Sequence, residues 1–226
     1  MQRIKKHVIT GMLLFFGSHG ANIAADPRTV IIAIDVSKSN AAISDEVFAE
    51  RAARYIKQPI SELGRFDTVR VRTFGDYGMQ ANPLRLDLDV SRRTPASKIA
   101  ETAETLIKSL PSLVASGRLQ AANTTQISAF LADEARTLSC WKRNTTIYLL
   151  SDGIEASAQT DPDRLRAGQA ALPSPKEGVL KGCTIQMLGI GETASGANPV
   201  QTQALINAWS EWAEKAGAHF VPKPSF

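Results

Sequence analysis

The chain has 226 residues, with 26 Lys and Arg against 22 Asp and Glu, a formal net charge of +4, and only three histidines. This length suits one domain with a full hydrophobic core. The small positive balance, with no basic stripe along the sequence, gives no case for nucleic acid, and the scarcity of histidine speaks against a multi-histidine metal centre or histidine-driven acid–base chemistry.

Residues 1–25 carry Arg3, Lys5 and Lys6, then an apolar run over 8–16, then small and polar residues up to Ala25. That order describes a secretory signal peptide, and the run is far shorter than the ~20 residues that a membrane span needs. A cut after Ala25 puts Ile23 at the third position back and a cut after Ala24 puts Asn22 there, so an uncleaved anchor remains the alternative. No cysteine lies near the cut, which argues against lipid attachment there. Loss of the leader lowers the 26 basic residues to 23 against 22 acidic ones and leaves His219 as the one histidine. Residues 26–226 read as a single exported domain, periplasmic or secreted, with no stable membrane insertion once the leader is removed.

Residues 29–34 form a continuous β-branched, apolar run, the pattern of a strand buried on both faces. It switches abruptly to Asp35-Val36-Ser37-Lys38-Ser39-Asn40. A carboxylate and two hydroxyls at alternate positions, just past the end of a central strand, lie where open α/β sheets bind ligands. Hard oxygen donors of this kind suit Mg²⁺ or Mn²⁺; the competing use of Ser37 or Ser39 is to cap the following helix. Ser44-Asp45-Glu46 opens that helix, with Phe48, Ala52, Tyr55 and Ile56 on one face and Pro59 and Gly64 closing the segment. Residues 67–75 alternate as a strand. After the loop 75–78, Leu84, Leu86, Leu88 and Val90 alternate with Arg85, Asp87 and Asp89, which predicts an antiparallel edge strand with one wet face. A solvated face accounts for Asp87 and Asp89 without a metal.

Thr94-Pro95 opens a helix running towards Leu110, as cap and first-turn proline. Thr124-Thr125-Gln126-Ile127 leads into another helix. Residues 144–150 are a second buried strand, ending in Ser151-Asp152-Gly153, where the glycine lets backbone pass close to a ligand. The stretch 155–182 is long, polar and rich in Pro and Gly, with a short helix from Asp161-Pro162. A strand over 183–191, a patterned helix over 199–216 and a last strand over 218–221 complete the chain. Trp209 and Trp212, at i, i+3 on that helix, read as core residues rather than a binding platform. The alternation predicts an α/β fold: a doubly wound, mostly parallel, Rossmann-like sheet with one antiparallel edge strand and helices on both faces. Right-handed crossovers bring the Asp35 and Asp152 strands side by side.

Cys140 and Cys183, the only cysteines, each precede one of two neighbouring strands at the same sheet edge. A separation of about 4.8 Å between neighbouring strands lets them form a disulfide, as an exported protein permits; two buried free thiols are the alternative.

These motifs, in this order, resemble the von Willebrand factor type A domain, shared with integrin inserted domains, over essentially all of residues 28–222. Its metal-ion-dependent adhesion site is built from three loops. Asp-x-Ser-x-Ser corresponds to Asp35, Ser37 and Ser39, a helix-opening threonine to Thr125, and Asp-Gly to Asp152-Gly153. The glycines usual before the threonine are Asn123 and Thr124 here, so Thr124 stays open as the donor. The resemblance implies that Ser37, Ser39 and Thr125 bind the metal directly, with Asp35 and Asp152 acting directly or through water. It implies a non-enzymatic protein-binding module in which a partner's acidic side chain completes the coordination of Mg²⁺ or Mn²⁺. The alternatives are a metal-assisted phosphohydrolase using Asp35 and a structural adaptor with an empty site. Against the enzyme, the sequence has no second acid two residues after Asp35, no Gly-x-Ser-x-Gly elbow and no phosphate-cradling glycine loop.

Overall fold

A computed structural model describes residues 26–76 and 84–226; the predicted leader and most of the loop after Gly75 lie outside the described residues. Strands β1 (Thr29–Asp35), β2 (Thr68–Phe74), β3 (Arg85–Asp89), β4 (Thr145–Leu150), β5 (Cys183–Leu188) and β8 (His219–Lys223) form one sheet in the order β3-β2-β1-β4-β5-β8. All neighbours are parallel except β2 and β3. A separate hairpin joins β6 (Glu192–Thr193) and β7 (Gly196–Ala197). The helices are α1 (Glu46–Ser61), α2 (Ala96–Ala115), α3 (Ile127–Ala135), α4 (Pro162–Arg166) and α5 (Pro199–Ala216). This is the predicted doubly wound, mostly parallel sheet with an antiparallel edge.

The pleat of β1 separates two cores. Val30, Ile32 and Ile34 pack with Phe48, Ile56, Ile60, Ile99 and Ile107 from α1 and α2. Ile31 and Ala33 face the other way, onto Ile127, Leu131, Leu205, Trp209 and Trp212 from α3 and α5. Because β1 is buried along its whole length, it carries no polar residue between Thr29 at its start and Asp35, where the sheet ends. Both tryptophans are core residues, as expected, and each also donates to a loop: Trp209 Nε1 to Gly153 O at 2.7 Å, and Trp212 Nε1 to Pro173 O at 2.9 Å.

Several local expectations are corrected. Asp45, not Ser44, caps α1, accepting from the Val47 and Phe48 amides. Pro59 lies inside α1 and Pro111 inside α2, so neither helix stops at its proline. Thr94 does not cap α2, whose N-cap is Pro95 with no side-chain bond. Asp87 does lie on an exposed face of β3, but it is also a partner of the buried Arg72, whose guanidinium donates to Asp87 Oδ1 (2.6 Å), Glu134 Oε1 (3.0 Å) and the Val71 and Leu86 carbonyls. A buried guanidinium needs such partners, because it cannot shed its charge.

Cys140 and Cys183 are joined by a disulfide, with Cα atoms 5.0 Å apart and a sequence separation of 43. The link pins the turn before β4 to the first residue of β5. Closing a loop of that length stabilises the fold by about 4 kcal/mol in the chain-entropy account. Reduction, or Cys140→Ser with Cys183→Ser, is therefore expected to lower the melting temperature by ~8–16 °C in a domain of this size; an unchanged melt would show that the crosslink contributes nothing.

Candidate functional site

The site grows from the C-terminal ends of β1 and β4, which are neighbours in register from Thr29↔Thr145 to Ile34↔Leu150. Asp35 and Asp152, one from each strand end, are both fully buried. Asp35 Oδ1 accepts from the Ser37 amide (2.8 Å) and Oδ2 from the Ser151 hydroxyl (2.7 Å), so both its oxygens are engaged. Asp152 Oδ1 accepts from the Ile154 amide at 2.9 Å, whereas its Oδ2 is enclosed with no hydrogen bond of good geometry. Burial, and then the charge of Asp152, push the Asp35 carboxyl up to about 7, against the Ser151 and Ser37 hydrogen bonds that pull it down. Burial also raises Asp152; the Ser39 hydroxyl, the Ile154 amide and the Arg166 charge oppose it.

The hydroxyls gather around this pair. Ser37 Oγ and Ser39 Oγ are 3.3 Å apart. The loop carrying the threonines is tied to the Asp35 turn by Lys38 N–H to Ala122 O (3.1 Å) and Ala122 N–H to Val36 O (2.8 Å). It is tied to the Asp152 loop by reciprocal bonds between Thr125 and Ala156. Thr125 is buried, while the Thr124 hydroxyl is already committed to the Asp76 carboxylate. Of the two threonines, Thr125 therefore has the hydroxyl to spare. Gly75 lets this loop approach: a Cβ there would lie 2.6 Å from Ala122 Cβ. Gly153 has φ +78°, and its Cβ would lie 3.0 Å from both Ile190 Cγ1 and Met187 Sδ, so a glycine is required straight after Asp152.

The structure adds residues that the sequence motifs did not flag. Asn40 is fully buried and its Nδ2 donates to Asp35 O (2.6 Å) and Leu150 O (3.0 Å), lacing the two strand ends together, while its Oδ1 accepts from the Ala42 amide. Ser151 holds Asp35. Glu155, buried and raised by that burial, receives both the amide and the hydroxyl of Ser128 at 3.0 Å and so caps α3. The β6–β7 hairpin closes the far side, with Ala194 N–H bonded to Ser39 O at 2.9 Å.

Two carboxylates balance a divalent cation, and hydroxyls add ligands without charge, which is the chemistry of an oxygen-ligated Mg²⁺ or Mn²⁺. Among the described residues no three His, Cys, Asp or Glu side chains converge, so any cation here depends on the serine and threonine oxygens. The unpartnered Asp152 Oδ2 and the like-charged neighbours fit such an ion.

No family model matches the sequence, and neither does any curated protein. Solved structures similar to this chain include an aerotolerance-related membrane protein from Bacteroides fragilis, at 16% identity over 86% of this chain and 90% of that one, with a TM-score of 0.47. A von Willebrand factor type A from Catenulispora acidiphila is 19% identical over 87% of this chain but 38% of its own, at TM-score 0.46. The human COPII-coat protein Sec24c is 11% identical over 89% of this chain and 30% of its own, at 0.45. Strand order and register, rather than these distant likenesses, define the fold.

The two acids destabilise the metal-free protein at neutral pH. In the unfolded chain they titrate near the usual value of 3.8, and in the fold at higher pH, so the folded state holds more protons in between. Their contribution is most favourable below pH ~4 and is lost as pH rises towards about 7. Asp152→Asn is expected to raise the melting temperature in chelator by about 2–8 °C at neutral pH, from ~1–2 kcal/mol of relieved repulsion. The gain should shrink as pH falls towards 4; thermal melts across that range check it, and a pH-independent difference would contradict it.

Proposed function

We propose that this protein is an exported, non-enzymatic protein-binding module that holds Mg²⁺ or Mn²⁺ at the Asp35–Asp152 edge and captures an acidic group of a protein partner there. The observation that carries the reading is the buried Asp152 Oδ2, with no hydrogen bond of good geometry, beside a second buried carboxylate and the Ser37 and Ser39 hydroxyls. Asp152, Ser37, Ser39 and Thr125 would hold the ion directly. Asp35 would act through water, because both its oxygens are engaged within the chain. The bound ion would offer an open position to an anionic oxygen. The engaged and buried state of Asp35 also speaks against its use as a nucleophile on a phosphate ester. Among the described residues no helix is long and apolar enough to cross a membrane, which fits a domain acting beyond its leader.

The test is a melting curve and partner capture from the cell envelope, each with Mg²⁺, with Mn²⁺ and with chelator. Divalent ions are expected to raise the melting temperature of the wild type, by ~4 kcal/mol of linkage at a thousandfold excess over Kd. Asp35→Ala should abolish that rise while keeping the fold, and Ser37→Ala should weaken it. Partner capture should follow the same order. Equal capture by wild type, Asp35→Ala and chelated protein would show that the site is not the recognition surface. An absent divalent response would leave an adaptor with an empty site.

A further inference from the structure

The opposite edge of the sheet has its own character. Trp209 and Trp212 are 1% and 3% exposed, but Trp141 is 71% exposed. It stands in the turn before β4, with Lys142 Nζ 4.5 Å from its ring centroid. Phe66, 65% exposed, lies two residues before β2 with the Arg65 guanidinium 4.7 Å from its ring centroid. Thr29 pairs with Thr68 on one side and Thr145 on the other, so both aromatic–cation pairs occupy the edge where the parallel strands begin, away from Asp35 and Asp152. The antiparallel β3 ends at this edge and delivers the exposed Arg92 and Arg93; Arg143 and Lys181 stand exposed before β4 and β5. Asp26, Glu62, Asp89 and Glu177 are there too, against Arg65, Arg92, Arg93, Lys142, Arg143 and Lys181, leaving cations in excess. These cations are scattered in sequence and gathered only by the topology.

Phe66 has φ +78°, the left-handed region, which strains a bulky residue. Glycine or asparagine would sit there more easily, and the ring buries little within the fold, so stability does not account for it. Lys215 in the last turn of α5 complements that helix's dipole, but exposed rings have no such role. Aromatic side chains flanked by arginine and lysine are what a lipid headgroup layer takes, the rings at the interface and the cations on phosphates. Two large exposed rings beside the cations favour a bilayer, which offers them an apolar layer, over an acidic polymer that offers only charge. We infer that this edge is a peripheral contact surface for an anionic lipid headgroup layer. The inference rests on the export reading and is independent of cation binding at the other edge.

The experiment uses the exported protein, in chelator, with vesicles of phosphatidylcholine alone or mixed with phosphatidylglycerol. Trp141 is the one exposed tryptophan, so anionic vesicles should shift tryptophan emission to the blue and neutral vesicles should not. Trp141→Phe should lose the shift while still sedimenting with anionic vesicles. Arg92→Gln with Arg93→Gln should weaken sedimentation roughly 25-fold, about five-fold per charge, and high salt should release the protein. The variants should keep their far-UV spectrum and their melting response to Mg²⁺, which separates failure here from failure at the cation site. Unchanged emission with anionic vesicles, equal binding to neutral ones, or binding that survives the loss of Arg92 and Arg93 would overturn the inference. So would capture of an acidic polypeptide in place of vesicles.

Discussion

Two carboxylates buried side by side at the ends of β1 and β4 are the constraint around which this end of the molecule is arranged. Enclosing Asp35 and Asp152 in one water-poor site is unfavourable on two counts, desolvation and like charge. The chain offsets part of this with directed donors: Ser37 N–H and Ser151 Oγ on Asp35, Ile154 N–H on Asp152. It leaves one oxygen, Asp152 Oδ2, without a good donor. A site evolved for stability alone would fill that place with an apolar residue or a second hydroxyl. The residual demand is for positive charge, which Arg166 meets only in part.

Such a site needs a rigid frame, and the frame is visible. Asn40 binds the carbonyls that end both strands, so the two carboxylates cannot drift apart without losing two buried hydrogen bonds. The Asp152 loop is anchored from below by Trp209, whose indole reaches Gly153 O, and from the side by Gly191 N–H on Asp152 O. The threonine loop is held at Ala122 and at Ala156. Each anchor comes from a different element, so the rim is positioned by the packed sheet and its helices rather than by local turn propensity. The cysteine crosslink does the corresponding job at the far edge, where β4 and β5 begin.

The fold was legible because its signals are local. The buried run of β1, the alternation of β3 and the helix over residues 199–216 each follow from a short period in the sequence. The site was legible where a residue type announces chemistry at a strand end, as Asp35 and Asp152 do. Asn40, Ser151 and Glu155 were not, because their partners lie 110, 116 and 27 positions away and depend on tertiary contact. A polar residue between a buried strand and Asp-Gly, as at Ser151, was the available hint. That the Thr124 hydroxyl is taken by the Asp76 carboxylate was not legible either, because 48 positions separate the two. Arg72 hid in the alternating strand over residues 67–75, and its buried ion pair with Glu134 needed α3 to be in place. The hairpin over Glu192–Ala197 is too short to leave a periodic signal.

The claim that decides the account is that a divalent cation sits between the two strand ends. Paramagnetic Mn²⁺ titrated into isotopically labelled protein measures this directly, since it broadens the amide signals nearest to it. Signals from Asp35 to Asn40, from Thr124 to Gln126 and from Ser151 to Ile154 should be lost early, with Phe66 and Trp141 at the opposite edge unaffected. Uniform broadening, or broadening centred on any other group of residues, would contradict it.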